Sequence, residues 1–153
     1  MFAQLDTKSV YSFMDSVVDL TTYVERAKKL GYQALGLMDR DNLYAAYHFA
    51  QFASSKGLRP LIGMEANLFY EGRKIPFRLL AKNNQGYKNL MKLATELSSG
   101  QREFTAFSDY LNAIALILPS EDWEPGMTLG SEVFIGVRPE DAGKEFDYPV
   151  IPL

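Results

Sequence analysis

Leu20, Tyr23, Val24, Ala27 and Leu30 recur at the spacing of one helix face, with Asp19 or Thr21 placed to cap the start and Gly31 placed to end it. Ala34-Leu35-Gly36-Leu37-Met38 is short and apolar on both faces, the pattern of a strand buried between two layers. A second cycle follows. Asp41 or Asn42 is placed to cap a helix whose Leu43, Ala46, Tyr47, Ala50 and Ala53 share a face, Gly57 ends it, and Leu61-Ile62-Gly63-Met64-Glu65 reads as the next strand. Strand, helix, strand in alternation predicts parallel pairing. The rhythm then breaks, because Glu71-Gly72 lies between two extended runs, Ala66 to Tyr70 and Arg73 to Ala81, and so predicts a hairpin. Tyr87, Leu90, Met91, Ala94 and Leu97 predict a third helix ending near Gly100, followed by a short helical stretch from Phe107 to Leu111. Ala113 to Leu118, Val133 to Val137 and Val150 to Leu153 read as further strands, with a loop from Pro119 to Gly130. The last strand runs to the final residue, which predicts a truncated domain.

At 153 residues the chain has the length of one domain. Hydrophobic residues at 47% and charged residues at 23% exclude wholesale disorder and fibrous repeats. No apolar run approaches the roughly 20 residues of a spanning helix, so no membrane partner is expected. The opening Met1-Phe2-Ala3-Gln4-Leu5-Asp6 lacks the basic segment of a secretion signal, which makes the cytoplasm the expected compartment. The absence of cysteine excludes disulfides, thiolate zinc sites, iron–sulfur clusters and cysteine nucleophiles, and a single His excludes a site built on two imidazoles. A net charge of -3 gives the whole chain no general attraction for a phosphate backbone.

Three acids, Asp6, Asp39 and Glu65, stand at the C-terminal ends of successive predicted strands, the end where α/β folds build sites. Their spacing alone fits helix caps as well as it fits a site. Lys8 and Arg40 fall among them. Oxygen ligands suit Mg2+ or Mn2+, but an ammonium and a guanidinium in the same cavity repel a divalent ion, so ion pairs compete with metal binding. Other residues admit plainer readings. His48 is placed on the second helix away from these strand ends, and Tyr44, Tyr47, Phe49 and Phe52 are expected to pack against the sheet rather than stack on bases. Lys82, Lys88 and Lys92 could follow a phosphate backbone or simply be solvated. Trp123 lies in a loop with Glu121, Asp122 and Glu124, where it could anchor the loop or touch a neighbouring domain.

Phe2-Ala3-Gln4-Leu5-Asp6-Thr7-Lys8-Ser9-Val10-Tyr11-Ser12-Phe13-Met14-Asp15-Ser16 resembles the segment Phe-Val-His-Leu-His-Val-His-Ser-Glu-Tyr-Ser-Leu-Leu-Asp-Gly. That segment opens the polymerase and histidinol phosphatase (PHP) domain at the start of the alpha subunit of bacterial DNA polymerase III, the C-family replicative polymerase. Gln4, Asp6 and Lys8 stand where the family pattern has three His, while Ser9, Tyr11, Ser12 and Asp15 match it. Leu37-Met38-Asp39-Arg40-Asp41-Asn42 resembles Leu-Thr-Asp-His-Gly-Asn, with Arg40 at a metal-binding His. Pro60-Leu61-Ile62-Gly63-Met64-Glu65-Ala66 is similar to Pro-Ile-Ile-Gly-Cys-Glu-Ala, and keeps an acidic ligand position at Glu65. The most specific stretch is Leu79-Leu80-Ala81-Lys82-Asn83 with Gly86-Tyr87-Lys88-Asn89-Leu90-Met91-Lys92-Leu93; the His that usually precedes it falls near Pro76. Pro149 to Leu153 resembles the strand leading to a late Asp-Val-His motif.

The resemblance implies an α/β fold, a distorted (βα)7 barrel left incomplete because its last units are missing, with residues 1–153 forming one PHP domain truncated before its last metal-motif segment. It implies a parent that extends DNA using Mg2+, with the polymerase site outside this chain. Relatives with intact motifs hold a metal cluster associated with phosphoester hydrolysis. Here Gln4, Asp6, Lys8, Asp15, Asp39, Arg40, Asp41, Glu65 and Pro76 mark a vestigial form of that site, with no catalytic residue and no resident metal or other cofactor expected. The physical expectation is that Lys8 and Arg40 offset Asp6, Asp39, Asp41 and Glu65 in one pocket. The leading expectation is a scaffold domain supporting DNA synthesis by the parent, its partners being the remaining alpha-subunit domains, DNA through the parent, and a proofreading subunit. Two alternatives stand beside it: a residual phosphoesterase holding Mg2+ or Mn2+ on Asp6, Asp15, Asp39 and Glu65, and a local DNA contact through Lys82, Lys88 and Lys92.

Overall fold

Asp19 caps the first helix as predicted: its carboxylate accepts from the Thr21 N–H at 3.1 Å, and α1 runs Leu20–Lys29 with Val24 and Ala27 buried. The computed structural model describes residues 3–11, 19–130, 132–141 and 143–152. Seven strands form one sheet in sequence order: β1 (Ala3–Gln4), β2 (Ala34–Arg40), β3 (Arg59–Tyr70), β4 (Arg73–Ala81), β5 (Ile114–Pro119), β6 (Val133–Val137) and β7 (Val150–Pro152). β1, β2 and β3 pair in parallel, as do β5, β6 and β7, while β4 runs antiparallel to both β3 and β5. The C-terminal ends of the six parallel strands therefore lie at one end of the sheet. With β1 and β7 as its two edges, the sheet is an incomplete α/β barrel.

The hairpin arises where Glu71 (φ 50°) and Gly72 (φ 79°) both take the left-handed conformation, which matches the twist of the flanking strands. Because the turn has two residues, it fixes the register: Tyr70 faces Arg73, Asn67 faces Pro76 and Glu65 faces Arg78. Strand alternation then sorts the side chains. Met64, Ala66, Leu68, Ile75, Phe77 and Leu79 are fully buried against α3 (Asn84–Ser98) and the 3-10 segment Phe104–Tyr110, whereas Glu65 and Arg78 belong to the opposite face. Leu35 and Leu37 of β2 join a second core cluster with Val24 and Ala27 of α1 and Phe49 and Ala53 of α2 (Ala46–Ser55).

Two helix faces differ from the predicted ones. α2 starts at Ala46 without a side-chain cap, because the Asn42 side chain accepts from the Tyr44 N–H at 3.1 Å and holds residues 42–44 in a turn. Its core face is Ala46, Phe49 and Ala53, which leaves Tyr47 63% and Tyr44 75% exposed. The expectation that all four aromatics pack on the sheet is thus corrected: Phe49 is buried, Phe52 partly so, and the two tyrosines face solvent. In α3 the buried stripe is Gly86, Leu90, Leu93 and Leu97, and Met91 is exposed. Gly86 sets that rotation, since a Cβ there would lie 2.1 Å from the Ala113 carbonyl oxygen.

Candidate functional site

The chain leaves β1 at Gln4 and runs on against β2, with Leu5 close to Gly36, before reaching Ser9. The Met38 N–H donates to the Thr7 carbonyl at 2.8 Å, which carries the pairing past the end of β1. This path delivers Asp6 and Lys8 to the face of the sheet that already holds Arg40, Glu65 and Arg78. Arg40 and Glu65 are register partners in the parallel β2–β3 pair, and Glu65 and Arg78 in the antiparallel β3–β4 pair. Neighbouring strands present register partners on one side, so these charges meet as a consequence of topology.

The contacts are close. Lys8 Nζ lies 3.0 Å from Asp6 Oδ1 and 3.0 Å from Glu65 Oε2, bridging the two acids. Arg78 clasps the other oxygen of Asp6 through Nε at 3.0 Å and Nη2 at 2.9 Å, and its Nη2 stands 4.0 Å from Glu65 Oε2. Arg40 Nε donates to Glu65 Oε1 at 3.0 Å. The Glu65 side chain is 5% exposed, Arg78 13% and Lys8 15%, so the inner part of the centre is poorly screened, while Asp6 at 24% and Arg40 at 42% form its wetter edge.

Asp39 and Asp41 are brought near but differently employed. Asp39 accepts from the Ser9 N–H at 2.7 Å and from the Ser9 hydroxyl at 2.6 Å, which fastens the incoming segment to the end of β2. Asp41 has a φ of 56°, unusual for a residue with a side chain, and its carboxylate turns to Arg102 at 2.8 Å. Of the four acids expected in one pocket, Asp6 and Glu65 share Lys8, while Asp41 pairs with Arg102 and Asp39 accepts from Ser9. Gln4 is an exposed residue of β1 paired in register with Leu35, and Pro76 sits half-buried in β4, two residues before Arg78. Asp15 lies outside the described residues. Lys82 pairs with Glu132, while Lys88 and Lys92 are exposed on α3. His48 is exposed on α2, edge-on to Tyr47 with ring centroids 5.7 Å apart, and Trp123 packs edge-on to Phe146 at 5.2 Å.

Burial alone would raise the Asp6 pKa, but Arg78 and Lys8 outweigh it and hold the carboxyl below its ordinary 3.8. Burial likewise works against the Lys8 ammonium, yet Asp6 and Glu65 lift it above its ordinary 10.5. The two shifts bound a plateau. Asp6 contributes stability above its unfolded pKa and loses it as pH falls through the lowered folded value; Lys8 contributes below its unfolded pKa and loses it as pH rises through the raised one. Denaturant midpoints are therefore expected to stay level from about pH 5 to about pH 9 and to drop on both sides, with Asp6→Asn flattening the acid limb and Lys8→Met the alkaline limb.

Among the described residues no group of three or more His, Asp or Glu is arranged to hold a metal ion, and no helix is long and apolar enough to cross a membrane. Residues 4–124 match the PHP domain family. The chain is 47% identical over 137 residues to DNA polymerase III subunit alpha of Streptococcus pyogenes serotype M1, an alignment that takes in 90% of this chain and 13% of that protein. It is 33% identical over 126 residues to the Bacillus subtilis subunit of the same description, covering 78% of this chain and 11% of that protein. The chain thus spans about an eighth of the length of these curated relatives. In fold it is similar to a crystal structure from Bifidobacterium adolescentis assigned as a metal-dependent phosphoesterase, with a TM-score of 0.52 and 19% identity over 61% of this chain and 32% of that one. Strand order, the acids at the strand ends and the match across most of the sequence agree, and the chain belongs to the PHP domain family, in the form carried by DNA polymerase III alpha subunits.

Proposed function

We propose that this domain is a metal-independent brace within a polymerase III alpha-type polypeptide, and that its ancestral cation site now works as a structural ion-pair centre. The observation that carries the reading is the occupancy of both carboxylates. Both oxygens of Asp6 and both oxygens of Glu65 accept from Lys8, Arg78 or Arg40 at 2.9–3.0 Å. A divalent ion would have to displace these donors and then sit beside three fixed positive charges, which does not fit Mg2+ or Mn2+. Asp39, the remaining acid of the strand ends, is engaged by Ser9. No hydrolytic step is assigned to these residues. What they do is hold β1, β2, β3 and β4 together at the end where the family builds its chemistry.

In this reading DNA synthesis belongs to the rest of the alpha-type polypeptide, which supplies the polymerase site, its Mg2+ and the contact with DNA. A proofreading subunit is a further partner of the same assembly. Direct DNA contact through Lys82, Lys88 and Lys92 draws weaker support, because Lys82 is paired with Glu132 and two exposed lysines on one helix make a small electrostatic footprint. The test is calorimetric titration of the chain with Mn2+, together with hydrolysis of a generic phosphodiester in Mn2+ or Mg2+. The expected result is no saturable heat, no turnover, and a melting temperature indifferent to a chelator. Tight stoichiometric Mn2+ binding, or turnover abolished by Glu65→Gln, would overturn the proposal.

A further inference from the structure

The outer face of α2 is unlike the other helix surfaces. From Leu43 to Ser55 the chain has no Asp, Glu, Lys or Arg, whereas α1 carries Glu25, Arg26, Lys28 and Lys29, and α3 carries Lys88, Lys92 and Glu96. A solvated helix face is ordinarily charged. In place of charge, α2 and the loop beside it present aromatic and apolar groups: Val10, Tyr11, Tyr44 and Tyr47 are 52%, 49%, 75% and 63% exposed. These are four of the eight large apolar side chains that stand exposed among the described residues, gathered in one place. They are also held in position. The Tyr11 and Tyr44 rings meet edge-to-face at 6.1 Å, Tyr47 meets His48, and the Gln51 amide donates to the Tyr47 hydroxyl at 2.8 Å. Asn42 Nδ2 reaches the Tyr11 carbonyl at 3.3 Å and ties the loop to the end of β2.

We infer that this tyrosine face is where the domain docks against another domain of the same long polypeptide, an inference that rests on the brace reading above. Three observations select that occupant. Charge depletion with rigid tyrosines is the composition of the buried centre of a protein–protein contact. The lack of Lys and Arg along α2 removes the phosphate contacts that a nucleic-acid strand needs, so stacking rings alone do not make a strand-binding surface. The curated relatives are about eight times longer than the aligned region, so most of such a polypeptide lies outside this domain and is available to cover the face. The patch adjoins Asp39–Asn42, so docking there would bear on the same strand end that the ion-pair centre secures.

Nitration by tetranitromethane, read residue by residue by mass spectrometry, tests the inference on the chain alone and on the full-length alpha-type polypeptide that carries it. Tyr44 and Tyr47 are expected to react about tenfold more slowly in the long polypeptide. Tyr44→Lys with Tyr47→Lys is expected to leave melting of the chain alone unchanged while loosening the domain in the long polypeptide, read as faster proteolysis. Equal nitration in both settings overturns the inference. So does protection that grows with concentration of the chain alone, which would mean a second copy, or protection that needs single-stranded DNA. Manganese binding to the chain would sink the brace reading and leave the nitration result standing, so the two failures are separable.

Discussion

Arg78→Ala is expected to cost the domain about 3 kcal/mol of unfolding free energy, because it removes a largely buried cation from a partly buried Asp6. A hydrogen bond and a second ion-pair contact to Asp6 vanish, and Asp6 is left with Lys8, which Glu65 also claims. Arg78 is one of the two cations that hold the Asp6 carboxyl down. Its loss should therefore lift the Asp6 pKa and carry the acid limb of the stability curve to higher pH. The double replacement Asp6→Leu with Arg78→Leu is expected to be milder than Arg78→Ala, since no charge is then stranded and Lys8 keeps Glu65. Urea denaturation of the three chains at pH 7 checks this. A loss below about 0.5 kcal/mol for Arg78→Ala would mean that the centre contributes no more than a surface pair.

Arg78 was also within reach of the sequence. Lys74, Pro76 and Arg78 alternate with Ile75, Phe77 and Leu79, so one parity of β4 had to face away from the core. Counting outward from a two-residue turn at Glu71-Gly72 sets Arg78 opposite Glu65 before any coordinates are known. Sequence proximity to Asp6 and Asp39 picks out only Lys8 and Arg40, whereas Arg78 arrives from the antiparallel strand. The same register shows why Asp39 and Glu65 do not act alike: Asp39 is level with Met64, whose side chain faces the helices, while Arg40 is level with Glu65. The Asp41–Arg102 pair was not legible, since it joins positions 61 residues apart and depends on where the segment after α3 returns to β3. Helix limits are legible where a cap or glycine marks them, at Asp19, Gly31 and Gly57. The start of α2 is not legible in this way, because Asn42 commits its side chain to a turn. Exposure of Tyr44 and Tyr47 lay beyond periodicity, because an aromatic in a helical pattern looks the same whether it meets a sheet or a partner.

Gly36→Ala is expected to be as damaging as loss of Arg78, for a reason in the backbone. A Cβ at Gly36 would lie 2.3 Å from the Leu5 carbonyl oxygen, 2.8 Å from Leu5 Cα and 2.9 Å from its carbonyl carbon. None of these atoms can turn aside as a side chain would, so the whole Leu5–Thr7 segment must lift away from β2. Lifting it breaks the Met38 N–H to Thr7 bond and withdraws Asp6 and Lys8 from Arg78 and Glu65. The expected cost is about 3 kcal/mol, at the upper end for overpacking because the clash is with main chain. If the methyl acts by dismantling the ion-pair centre, its effect and that of Arg78→Ala overlap: the double variant should lose clearly less than the two single losses combined. Strictly additive losses in urea denaturation would show instead that the β1–β2 seam and the charged centre are independent. A Gly36→Ala chain as stable as the unsubstituted one would show that Leu5 is not seated on β2 at all. Overlapping losses would make Gly36 the smallest residue with the largest say in the site, since the close approach it allows is what lets Asp6 and Lys8 reach their partners.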